Sequence, residues 1–369
     1  MDLGREHTRR VEEGHRMASS GELVYLGCYT RESGGGGQGI VAARRDPVGG
    51  GLDVLGTAAI TPAPSFLAWH PSLPVLYAVN ELDEGRVSAW AVADDGALTG
   101  LGTWSTEGAE PCHLAVSPDG AQLFVANYGS GSVCVLPLDE AGMPGEHTDL
   151  VTHEGHGADP ERQEQAHAHM VSPEPRGGGL LAVDLGTDAI YRYDVDPVAG
   201  RLLPRLPPVR TAPGTGPRHL ARNPDGLHCH VVGELDATVT TYGLDLGGTL
   251  HERGRAATST RPGKAQPSEI AVGRDGRFLY VANRGVGTVS VFAVADGLPS
   301  YVTEVETGGS WPRHFAMVGD HLYVVDERAN TIEIFAVDPG TGVPAPAGGP
   351  VSVPSPTCVL PQRQTVQSY

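Results

Sequence analysis

The sequence predicts an all-β fold, a seven-bladed β-propeller whose ring is closed by a C-terminal strand joining the N-terminal blade. Three observations predict it. Glycine (51) and proline (30) together exceed a fifth of the 369 residues, too much punctuation for long helices. Short apolar runs bounded by Gly, Pro, Asp and Asn carry the strand signal. One pattern also recurs along the chain at spacings of about 45–55 residues, the size of a four-stranded blade.

Each repeat reads as a Pro- or His-led apolar strand, a Pro-Asp-Gly-like turn, a second strand ending in Asn, Asp or Glu, and a third strand. It begins at Pro64 (PSFLAWHPSLPVLYAVNE), Pro111 (PCHLAVSPDGAQLFVANYG), His167 (HAHMVSPEPRGGGLLAVDLG), Pro217 (PRHLARNPDGLHCHVVGEL), Pro267 (PSEIAVGRDGRFLYVANRG) and Pro312 (PRHFAMVGDHLYVVDER). The ends supply a seventh unit in pieces. LVYLGCYT from Leu23 matches a second strand, GIVAAR from Gly39 a third, and PTCVLP from Pro356 a first. Pairing the last with the others closes the ring and leaves no lone sheet edge. Residues 1–20 are charged, lack an apolar signal core and are expected to be a disordered extension, with Met17 a candidate start. Residues 21–369 are expected to form a single propeller domain.

Composition narrows the function. With 44 acidic and 26 basic side chains the formal charge is −18, which argues against a duplex nucleic-acid binder. The chain is 40% hydrophobic and 19% charged, enough to bury a core. No apolar run approaches a membrane span. The five cysteines form no CxxC pair, so a reducing cytoplasm is favoured over a disulfide framework. A monomer or weak homo-oligomer is expected, with no nucleic-acid or membrane partner.

The repeat also predicts which residues meet. The first strand of each blade lines the central channel, and the second returns antiparallel to it. Strand-one starts and strand-two ends therefore converge on one face, called upper here. The starts supply His113, His167, His169, Arg218, His219, Glu269, Arg313 and His314. The ends supply Tyr29, Glu81, Asn127, Asp184, Glu234, Asn283, Arg284 and Glu327. This set is rich in charge, whereas the lower turns carry ordinary Pro, Asp and Gly.

With these residues in view, the chain resembles the cytosolic lactonase family of seven-bladed propellers. That family includes bacterial 6-phosphogluconolactonase of the propeller type and fungal carboxy-muconate lactonizing enzyme. VYLGCYT, PCHLAVSPDG, VANYGSGSV, RQEQAHAH, AVDLGTD, GPRHLARNPDG, GRFLYVANRG and GGSWPRHFA carry the resemblance, which spans about Leu23 to Leu360. It implies a catalytic constellation of His169, Arg218, Glu234 and Arg284. Gly233 and Ala271 depart from the family pattern, Gly233 beside the implied base and Ala271 at a position expected to touch ligand.

A lactone is an activated ester, and its hydrolysis needs a base for water and donors for the oxyanion. Glu234 and His169 are the candidate bases. Arg218 and Arg284 are candidates to hold an anion or stabilise the oxyanion. His113, Asn127, His167, His219, Glu269, Asn283, Arg313 and His314 complete the expected substrate-binding set. The expected partner is a small anionic lactone, with 6-phosphogluconolactone as the leading candidate, and no cofactor or required metal is expected. His153, His156, His167 and His169 lie near Asp159 and Glu161, but in a Gly/Pro-interrupted loop without fixed spacing. Gly34 to Gly37 lacks the Lys-Ser/Thr of a phosphate loop and is expected to be a flexible loop near the upper face. Cys112 is read as a buried thiol. Two alternatives stay open: a cycloisomerase or cyclase acting on an unsaturated acid, and a non-catalytic binding scaffold.

Overall fold

The computed structural model describes residues 21–205, 207–245 and 248–363. The expected N-terminal extension lies outside the described residues. Seven sheets are arranged as blades. In blade 1 the closing strand Pro356–Pro361 lies innermost, followed outward by Glu22–Cys28, Gly39–Arg45 and Leu52–Ile60. The closure is antiparallel, with Leu26 opposite Val359 and Gly27 opposite Cys358. Blades 2 to 7 start at Leu67–Trp69, Pro111–Val116, Ala168–Pro173, Pro217–Arg222, Gln266–Val272 and Pro312–Val318. Blades 4 and 7 have a split outer strand, such as Leu202–Pro204 with Val209–Arg210.

Burial follows the order of strands. The second strand, such as Val75–Asn80, is buried throughout because it has a sheet neighbour on each edge and a blade on each face. The outermost strand, such as Leu98–Ser105, is largely exposed. The apolar cores lie between blades. Val75, Tyr77 and Val79 of blade 2 meet Leu114, Leu123 and Val125 of blade 3. Across the seam, Val24 and Leu26 pack with Val359 of their own blade and with Tyr323 and Val325 of blade 7.

A tyrosine clasp links several blades in one direction. Tyr25 and Tyr77 donate their hydroxyls to the Gly96 and Gly142 carbonyls of the following blade. Tyr280 and Tyr323 do the same with Gly342 and Gly50, the last contact crossing the seam. Each hydroxyl sits at the polar edge of an otherwise apolar contact, where a buried phenol needs a partner. The lower turns follow their sequence signal. In Pro118-Asp119-Gly120, Asp119 accepts the Ala121 amide at 3.1 Å, and Gly120 takes the left-handed φ of +77° that the turn requires.

Candidate active site

The strand-one starts carry a repeated irregularity. Register shifts fall between Pro111 and His113, Ala168 and Met170, Pro217 and Leu220, Pro267 and Ile270, and Pro312 and His314. Such a bulge re-aims side chains that strict alternation would send to opposite faces. Arg218 and His219, although adjacent, are therefore both buried and in contact with the groups around the axis.

One level of the channel is a ring built from the same repeat position. The Phe66 and His113 rings lie 4.2 Å apart, His113 and His219 5.4 Å, and His169 and His219 5.2 Å. His219 Nδ1 lies 3.1 Å from Glu269 Oε2, and His314 Nε2 lies 3.4 Å from the same oxygen. Burial and the neighbouring imidazoles and arginines keep His113 and His219 well below the usual histidine range. Burial likewise lowers His314 to about 4, with Glu269 opposing. The ring is thus a set of neutral imidazoles beside one carboxyl, which burial in turn pushes up.

Adjoining this ring is a guanidinium cluster. Glu234, at the end of the second strand of blade 5, is only 2% exposed. Arg284 Nη2 of blade 6 reaches its Oε2 at 2.6 Å, and Arg218 Nε lies 3.2 Å from that oxygen. Arg162, from the connection into blade 4, donates through Nη2 to Oε1 at 2.7 Å. Burial alone would raise the Glu234 carboxyl, but Arg284, Arg218 and Arg162 hold it down at about 2. Arg218 is also shifted downward, despite its acidic partner. Burial and the positive charges of Arg284 and Arg313 lower it to about 10, so it stays protonated at neutral pH. Both downward shifts reflect three cations sharing one anion, with burial adding to that of Arg218, and the centre keeps an excess of positive charge.

His169 faces this excess. Burial first, and then Arg218, His219, Arg284 and Arg313, keep its imidazole well below the usual range and therefore neutral. Its Nδ1 lies 3.8 Å from Cys112 Sγ, which also donates to the His169 carbonyl at 3.3 Å. The sequence neighbour of Cys112 is His113, but its contact is His169 of the next blade. Burial raises this thiol far above the usual range, so it is not a thiolate.

Several expected site residues make other contacts. Asn127 and Asn283, expected to bind substrate, are both fully buried, and their Nδ2 groups donate to the Thr106 and Thr258 carbonyls in the connections from the preceding blades. His167 stacks on Tyr128 at 4.4 Å, with Nδ1 2.9 Å from the Tyr128 carbonyl and Nε2 3.1 Å from Glu164. Arg313 belongs to a second cluster. It pairs with Glu327 at 3.3 Å and donates to the Tyr29 hydroxyl, which itself donates to Glu81 at 2.8 Å. His153 is committed to Asp184 at 2.6 Å and to the Tyr193 hydroxyl at 2.9 Å, which takes it out of the suspected metal-ligand cluster. Ala271 packs against the apolar core of blades 6 and 7, away from the mouth. The repeat position that changes is instead Glu269, which stands where four other blades carry histidine. A Cβ at Gly233 would run into Asp236 and Thr215, so packing accounts for that departure. The Gly34–Gly37 segment is pinned by bonds from Gly35 to Thr30, Gly37 to Tyr29 and Gly36 to Ser355, contrary to the expected flexible loop.

Sequence reasoning missed Arg162, Phe66, Trp311 and Arg328. Phe66 was recoverable, since it shares the repeat position of the histidines. Arg162 lies in a loop with no periodicity to mark it.

Charge is divided around the mouth. Blades 1 to 3 supply Glu32, Glu81, Asp83, Glu84 and Glu110 to a cavity of about 500 Å³ beside Tyr29. The guanidinium cluster gathers side chains from the blade 4 connection, blade 5 and blade 6.

The propeller has known relatives. The family model for lactonase, 7-bladed beta-propeller, matches residues 23–361. The chain belongs to this lactonase family. It is 34% identical over 348 residues to 6-phosphogluconolactonase of Bacillus subtilis, covering 91% of this chain and 97% of that one. A 6-phosphogluconolactonase of Formosa agariphila is 28% identical over 290 residues, covering 75% and 82%. The structure of the periplasmic gluconolactonase of Pseudomonas aeruginosa superposes with a TM-score of 0.87 at 31% identity, covering 93% and 99%.

Proposed function

We propose that this lactonase hydrolyses a sugar lactone, with 6-phosphogluconolactone as substrate and 6-phosphogluconate as product. The observation that carries the reading is the centre itself, where a neutral buried His169 faces arginines that outnumber their one carboxylate. The names of the relatives point to the same substrate class.

In this reading the lactone carbonyl oxygen lies against Arg218 and Arg284. His169 takes a proton from water as the water oxygen bonds to the carbonyl carbon. The arginines stabilise the oxyanion that forms. That oxyanion also offsets the positive field holding the imidazole neutral, so the proton affinity of His169 rises as it is needed. Collapse breaks the bond to the ring oxygen, which leaves with the proton from the imidazolium. Glu234, held at about 2, is a poor base at neutral pH. Its part is to fix the arginines. Five buried cysteines without disulfides support a reducing compartment. No described helix is long and apolar enough to cross a membrane.

Stopped-flow proton release with 6-phosphogluconolactone tests the reading, comparing wild type with Arg218→Ala and His169→Asn. Both variants are expected to lose most of the rate. Wild-type rates in both would overturn the mechanism, and NMR products of unchanged mass would show cycloisomerisation instead.

A further inference from the structure

The residue preceding the strand-one proline takes a left-handed φ in five places. These are Ala63 (+43°), Glu110 (+49°), Gly216 (+57°), Trp311 (+69°) and Ser355 (+43°). Only glycine takes this conformation freely; alanine, serine, glutamate and tryptophan all carry a Cβ that crowds the backbone in this region, and tryptophan is the largest side chain among them. At Trp311 the fold accepts strain and presents an indole at the upper face.

What that indole touches gives the strain a purpose. The Arg284 guanidinium carbon lies 5.5 Å from its ring centre, and Arg284 is the arginine paired with Glu234 at 2.6 Å. The Arg328 guanidinium carbon lies only 3.4 Å from the same ring centre. Backbone bonds fix the arrangement: the Glu327 amide donates to the Trp311 carbonyl and the Arg328 amide to the Ser310 carbonyl, each at 3.2 Å. Arg328 is exposed. Its neighbour Glu327 is taken by Arg313, and no carboxylate of the described residues lies within 4.0 Å of Arg328. A protein of charge −18 thus keeps an uncompensated guanidinium flat on a strained indole, one ring away from its buried centre.

We propose that Trp311 and Arg328 form a rim subsite that receives a phosphate carried on the tail of the lactone, remote from the ring being opened. This rests on the lactonase reading above and refines it. The indole offers an apolar plate for the carbon chain, and Arg328 offers forked donors to phosphate oxygens at the exposed end. The acidic wall of blades 1 to 3 disfavours the opposite orientation. A neutral lactone reaches the same buried centre without this contact.

The test compares kcat/KM for 6-phosphogluconolactone and unphosphorylated gluconolactone, together with calorimetric binding of 6-phosphogluconate and gluconate. Arg328→Gln is expected to lower the preference for the phosphorylated substrate about tenfold, through KM, and to lower the preference for the phosphorylated acid equally. Arg328→Lys should restore part of it. Trp311→Gly should lose the preference without losing melting temperature, since glycine relieves the strained φ. An unchanged preference in Arg328→Gln, or a parallel fall for both lactones, would overturn the subsite. A wild-type protein inert to both lactones would overturn the lactonase reading itself.

Discussion

Glu234 Oε2 lies 2.6 Å from Arg284 Nη2, and this pair governs the charge of the whole centre. The carboxylate is buried among Arg162, Arg218 and Arg284, and its folded-state pKa falls from 4.5 to about 2. A depressed carboxylate stabilises the fold at pH above its unfolded value and loses that contribution as pH falls through the folded value. The difference corresponds to about 3 kcal/mol. Glu234→Gln should therefore be less stable at pH 7 by about that amount, by urea denaturation, with the gap narrowing from pH 4.5 toward pH 2. Equal stability at pH 7 would mean that the arginines do not need this carboxylate.

His169 makes a kinetic prediction. Burial and the nearby arginines keep its imidazole neutral well below the usual range. As a base it should remain competent into mild acid, so the acid limb of kcat/KM should lie below pH 6.5. His169→Asn should reduce kcat by about 10²–10⁴. An acid limb at or above 6.5 that persists in the variant would assign the base elsewhere.

Asp326 is a weak point in the scaffold. It is fully buried, its Oδ1 accepts from Thr307 at 3.2 Å, and its Oδ2 has no hydrogen-bond partner among the described residues. It occupies the place where Asn80, Asn127 and Asn283 donate to backbone carbonyls. Burial, only partly opposed by Thr307, raises its carboxyl from 3.8 to about 7. A raised folded-state value gives stability that is complete below the unfolded pKa and is lost as pH rises through about 7. The loss amounts to about 4 kcal/mol. Asp326→Asn should raise the melting temperature at pH 8 and flatten the decline between pH 4 and 8. A variant less stable than wild type at pH 8 would refute this account.

The five cysteines are buried and unpaired, and burial raises the pKa of each. None should react with a water-soluble disulfide reagent in the native state, and all five should react in denaturant. Rapid native labelling would expose a channel opening that the packing does not show.

The blades were legible because their turn residues and apolar strands repeat with the fold, so local chemistry and global periodicity agree. His169, Arg218, Glu234 and Arg284 were found as members of one face. What the pattern hid was direction. Asn127 ends its strand as Glu234 follows its own, yet one turns into its blade and the other toward the arginines. The two occupy successive repeat positions, since Asn127 pairs with Pro111 as Gly233 pairs with Pro217, and neighbouring positions on a strand face opposite ways. Arg162 was invisible for a related reason, since a loop residue owes its position to the contacts it finally makes. Trp311 was quoted within GGSWPRHFA, but nothing in that string announces a left-handed backbone.

The strand Pro356–Pro361 lies inside the sheet that begins at Glu22, so the two ends of the described chain hold one another. During synthesis the first blade must wait for its innermost strand until the other six blades have left the ribosome. Six blades can stack in order of their emergence, whereas the seam is sealed only afterward. Until then the apolar faces of Val24, Leu26 and Val325 stay open to the cell, and newborn chains are most vulnerable to association there. Completion of the circle waits for the last strand of the propeller, and the yield of folded enzyme depends on how quickly that strand finds Glu22–Cys28.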